Sequence, residues 1–145
     1  MSGPALRQWT AHHAIHEAAA HEVEVAVQMA RKARSVWDES RFQSVVEVFL
    51  EIVEGRVLVH AEAEEQGLYQ EWLQTDARQR PVVKALVAEH DHLRLLAKRV
   101  TAAMTNRDYE GVLETMEEWA TACRAHSWHE EDALRLLAPT RGSSS

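Results

Sequence analysis

At 145 residues with a formal net charge of −7, five glycines, three prolines and a single cysteine, the chain has the size of one domain and is long enough to bury a real core. Its basic residues are scattered through an acidic background, which excludes the electrostatic footprint of a nucleic-acid binder and disfavours an anionic membrane surface. The lone Cys123 excludes an internal disulfide, the start Met1-Ser2-Gly3-Pro4 lacks the apolar core of a signal peptide, and no apolar run reaches membrane-spanning length. The expectation is a soluble cytoplasmic protein, monomeric or weakly self-associating.

Ala, Val, Leu, Glu and Arg dominate and strand-turn punctuation is missing, so the expected class is all-α. Residues 1–5 are expected to be disordered. A first helix is expected over 6–34, with Glu17, His21, Glu24, Gln28 and Arg31 on a polar stripe and His12, Ile15, Ala19, Val23, Ala26, Ala30, Ala33 and Trp37 on the inner one. After a turn at 35–39, capped by Asp38 or Ser40, a second helix over 40–73 carries Phe42, Val46, Phe49, Val53, Val57, His60, Glu64 and Leu68 inward. Gly55 inside it marks close packing or a local bulge, since glycine costs about 1 kcal/mol in a helix. Pro81 opens a third helix, 81–105, that buries Val83, Leu86, His90, Leu93, Ala97, Val100 and Met104. A turn at 105–108 leads to a fourth, ending near 138, with Val112, Met116, Trp119, Cys123, His126, Glu130 and Leu137 inside; residues 139–145 are expected to be a disordered tail. Four long helices with short connections over 6–138 predict an antiparallel up-down-up-down four-helix bundle.

The pattern His-x-x-x-Glu-Glu occurs twice, at His60 to Glu65 and at His126 to Glu131, with a leucine eight residues after each histidine. On a helix the i, i+4 spacing puts imidazole and carboxylate on one face. Each pair is preceded by another inward histidine, His12 and His90 in the best phase. Counted from the turns, His12, His60, His90 and His126 reach one level of the bundle to within about 6 Å at 1.5 Å per residue, with Glu64 and Glu130 a turn away. His16, at the edge of the first stripe, and His13, farther round, remain alternatives for the first-helix position. Four imidazoles and two carboxylates are too many donors for one tetrahedral zinc and suit a pair of first-row metal ions, with room for an oxo or hydroxo bridge and an exogenous ligand.

With these residues in view, the arrangement His…His-x-x-x-Glu…His…His-x-x-x-Glu over 6–138 resembles the hemerythrin-like family of HHE cation-binding domains; the segment His60 to Tyr69 and the run Glu89-His90-x-x-Leu93 are similar to its second- and third-helix motifs. The resemblance implies a non-haem di-iron centre with Glu64 and Glu130 bridging and His12, His60, His90 and His126 as terminal ligands. It implies a small-molecule ligand, O2, H2O2 or NO, and leaves open catalase- or peroxidase-like turnover. An iron sensor or store, or a metal-stabilised helical interaction module without turnover, is the alternative. The chain departs from the oxygen carriers at Arg94, where they have a further histidine, and at Glu130 and Glu131, where they have an aspartate five residues after the last histidine. Gln70 also stands where the family has proline.

Around this set, Tyr69 is a candidate catalytic residue at the open side of the site, against the simpler reading of a core aromatic. Glu65 and Glu131 read as exposed or just outside the donors, and His92 and His129 as solvent-facing. Glu89-x-x-His92 matches a ferritin-like di-iron unit, but that fold needs the unit twice. Cys123 reads as a buried, inert thiol, and the five tryptophans as packing residues.

Overall fold

The computed structural model describes the backbone of residues 3–143 and the side chains of 13–136. Its elements are α1 (Gly3–Ser35), α2 (Glu39–Ile52), a π-helical turn (Val53–Val57), α3 (Leu58–Gln66), α4 (Leu68–Thr75), a short 3-10 turn (Ala77–Gln79), α5 (Arg80–Thr105) and α6 (Tyr109–Ser143). Among the described residues there is no strand, and no helix is long and apolar enough to cross a membrane. The segments 1–5 and 139–145 fall on chain ends whose side chains lie outside the described residues.

Two connections are built alike. At the end of α1, Trp37 donates to the Arg34 carbonyl and Asp38 to that of Ala33; at the end of α5, Arg107 donates to Met104 and Asp108 to Ala103. This double bond pattern closes a helix over a left-handed residue, and the residues so placed are Trp37 (φ 58°) and Arg107 (φ 55°). Each aspartate then caps the next helix: Asp38 accepts from the Arg41 amide and Asp108 from the Gly111 amide, both at 3.0 Å. Trp37 therefore does not continue the inner stripe. It belongs to the turn and is 78% exposed, because the left-handed residue points its side chain off the helix axis. Trp128 is also exposed, Trp72 and Trp119 pack in the interior, and Trp9 lies outside the described side chains.

The long helices meet in consistent directions. Along α1 and α6 the pairs Arg34–Glu110, Arg124–Glu24 and His13–Glu131 advance on one helix while receding on the other, so the two run oppositely. The same holds for α5 and α6, where the Trp119 indole donates to the Leu93 carbonyl and His126 meets Glu89. The stretch from Glu39 to Thr75 is bent rather than straight. The π-helical turn absorbs an extra residue, and Gly67 separates α3 from α4. A Cβ on Gly55 would meet nothing within 4 Å, so this glycine marks the bulge and not a close contact.

Two apolar clusters fill the interior. The larger holds Phe42, Phe49, Leu96, Val100, Met116 and Trp119; the smaller holds Leu68, Tyr69, Trp72, Val83, Leu86 and Leu134. Between them lies a polar layer. Replacing exposed Arg107 by glycine removes the side-chain penalty of its left-handed backbone and is expected to raise stability by about 1 kcal/mol, measured as a higher midpoint in chemical denaturation.

Candidate metal centre

The polar layer contains five fully or nearly buried polar residues, of which Glu64, His90, His126 and Glu130 face one another; His16 and the partly exposed His60 complete it. Burial of this kind is costly for carboxylates and imidazoles unless they are matched by partners or a cation. α3 contributes His60 and Glu64, α6 contributes His126 and Glu130, α5 contributes His90 and α1 contributes His16.

The carboxylates are shared. Glu64 points Oε2 at His60 Nε2 (3.2 Å) and Oε1 at His90 Nε2 (3.4 Å). Glu130 points Oε1 at His16 Nε2 (3.2 Å) and Oε2 towards His126 Nε2 (3.8 Å). Each glutamate thus spans two imidazoles, one oxygen to each. The potential ligand atoms of Glu64, His90, His126 and Glu130 lie within 4.8 Å of one another, as do those of His16, His60 and Glu64. This buried histidine and glutamate cluster can hold a metal ion.

The orientation of the rings supports that use. His90 Nδ1 is held by Glu65 at 2.7 Å, His126 Nδ1 by Glu89 at 2.7 Å, and His16 Nδ1 by Glu131 at 3.1 Å. A carboxylate on Nδ1 fixes the proton there and turns the Nε2 lone pair inward, the arrangement that orients metal-binding histidines. His126 Nε2 is buried with no hydrogen-bond partner. The outer carboxylates are themselves anchored at the surface: Glu65 by Arg94 (3.0 Å), Glu89 by His129 (2.7 Å) and Glu131 by His13 (2.9 Å). Arg94 therefore serves an outer carboxylate.

Among the described residues, the first-helix histidine beside Glu130 is His16. The His12 side chain lies outside the described residues, and His13 bonds the outer Glu131. His16 lies on the buried line of α1, seven residues before Val23, while Ile15 of the expected inner stripe is largely exposed. Tyr69 comes from α4 on the side of the smaller cluster. Its hydroxyl donates to Glu130 Oε2, lies 3.4 Å from His90 Nε2, and its ring stacks on that of His90. Burial first, then the charges of Glu130 and Glu64, push the phenol pKa far up, so it keeps its proton. Cys123 is buried one turn before His126, and burial pushes its thiol up to about 11. His92 is half exposed, 4.0 Å from Glu118.

The composition of the outer ring was hidden in plain letters. Glu65 and Glu131 are the second glutamates of the two His-x-x-x-Glu-Glu runs, and Glu89 directly precedes His90. Their doubling was the available signal. No family model, no curated protein and no solved structure matches the chain. Fold and site together define an all-helical protein with a buried histidine and glutamate layer that could hold a metal ion.

Burial opposes charge on His16 and His90, but Glu130 and Glu131 beside the first, and Glu64 and Glu65 beside the second, outweigh it and hold both above their ordinary value of 6.5. Groups raised on folding stabilise the metal-free protein fully below their unfolded pKa, and that contribution is lost as pH rises through the folded value. The melting temperature of metal-free protein is accordingly expected to fall as pH rises above 6.5, whereas metal uptake near or below that pH should release protons measurable in weak buffer.

Proposed function

We propose that the chain is a hemerythrin-like, non-haem di-iron protein on an antiparallel up-down-up-down four-helix bundle, binding O2 or a small oxidant such as peroxide or NO. The observation that carries this is the sharing of Glu64 and Glu130, one oxygen to each of two imidazoles. It divides the layer into one set of His90 and His126 and another of His16 and His60, with both carboxylates common to the two. Charge supports two ions as well. With neutral imidazoles, Glu64 and Glu130 inside and Glu65, Glu89 and Glu131 outside bring more negative charge than one divalent ion offsets. Imidazole with carboxylate and no thiolate suits iron, and bundles of this kind hold such pairs between facing helices.

Bound there, an oxo- or hydroxo-bridged iron pair would supply redox chemistry at an open coordination position. The residues of the chain do the rest. Outer carboxylates keep the imidazoles turned inward, the two apolar clusters exclude water, and Tyr69 holds a proton against Glu130, one of the two shared carboxylates. Tyr69 is thus the candidate catalytic residue, as a proton donor.

Two outcomes are expected. Combining His60→Ala with Glu64→Ala should abolish iron binding while leaving a helical protein by circular dichroism; an unchanged iron content would rule out the site. Tyr69→Phe should keep its iron and, where the chain consumes peroxide, slow that consumption by about a hundredfold, the usual scale for losing a positioned proton donor. A structural metal module would instead melt on chelation without any redox chemistry.

A further inference from the structure

On the side of the layer away from Tyr69 lies a cavity of about 50 Å³. Its inner wall consists of donor residues, His16, His60, Glu64, His90 and His126; its far wall is Ala19, Ala61, Leu93 and Cys123 with Ser127. A cavity needs only about 10–15 Å³ to admit one water, so the space has room for a molecule of a few heavy atoms. Towards solvent, the lining ends in exposed Ile15 of α1 and Arg56 of the π-helical turn. Arg56 reaches across to α1 and bonds Glu22 at 2.7 Å, and His60, with its side chain 26% exposed, is the most accessible of the donors.

We propose that this cavity seats the exogenous ligand and that Arg56, tied to Glu22 over its mouth, determines what enters. The ligand's identity rests on the di-iron reading; the gate does not. Two observations carry the gate. Arg56 lines the cavity at an exposed edge, and its bond to Glu22 joins the π-helical turn to α1 there. The pair is half exposed, with 51% and 42% of the two side chains accessible, and such solvent-screened pairs are weakly held and open readily. With the Arg56 charge matched by Glu22 and the far wall mostly apolar, the class admitted is a small uncharged molecule, O2, NO or H2O2. A bulky alkyl hydroperoxide would collide with buried Ala61 and Leu93.

Cys123, the single cysteine, lies in the cavity wall and makes the mouth measurable with or without metal. In the folded full-length chain, the rate at which methyl methanethiosulfonate labels Cys123 reports how often the mouth opens. Arg56→Ala and Glu22→Gln are both surface changes and should raise that rate, the first by about tenfold, while Ala61→Leu, which fills the cavity, should lower it. In the iron-loaded chain, Arg56→Ala should likewise speed NO binding with iron content unchanged. Labelling and NO binding at parental rates in both surface variants would overturn the gate. A chain whose labelling responds as expected but which takes up no iron would overturn the di-iron reading, and the ligand with it, and leave the gate standing.

Discussion

Everything in this protein is arranged around two carboxylates that have been taken out of water. Glu64 and Glu130 are almost completely buried between two apolar clusters, where an unmatched negative charge costs several kcal/mol. A chain that needed only a core would place leucine at both positions. Instead it surrounds them with four imidazoles and a phenol, and aims one oxygen of each carboxylate at each of two histidines. The layer interrupts the hydrophobic interior and gives the helices a single level at which they must agree.

That agreement is enforced by the outer carboxylates. Glu65 on α3 holds His90 on α5, Glu89 on α5 holds His126 on α6, and Glu131 on α6 holds His16 on α1. Every one of these bonds crosses between helices, so the contacts that aim the imidazoles also tie the rods together around the layer. Site geometry and helix packing are the same set of interactions here. The surface groups beyond them, Arg94, His129 and His13, hold the outer carboxylates in place. Tyr69 closes the layer on the smaller-cluster side, and the cavity beside Arg56 leaves it approachable on the other.

Much of this was legible in the sequence, because helical periodicity is strong in an alanine- and leucine-rich chain and because His-x-x-x-Glu at i, i+4 has only one meaning on a helix. The all-helical class and the meeting of His60, Glu64, His90, His126 and Glu130 followed from those two facts. What escaped were features that periodicity does not encode. Trp37 continues the apolar stripe in letters, yet the two-bond helix closure puts it in the left-handed region and turns it outward. Counting residues from the turns favours His12 at the first-helix position, with His16 as the alternative; among the described residues it is His16 that stands beside Glu130, and the His12 side chain lies outside them. Gly55 announced an irregularity without saying which. The outer glutamates were visible as doubled letters, but their partners lie on other helices, and sequence spacing speaks only for residues on the same one.

The most direct test of the account is the metal itself. Elemental analysis joined to Mössbauer spectroscopy on the iron-loaded chain counts the ions and reads their coupling. Two irons per chain, antiferromagnetically coupled through a bridge, are what the shared carboxylates predict. A single uncoupled iron, a single zinc, or no metal at all would contradict it, and would leave a helical protein whose buried layer serves some other end.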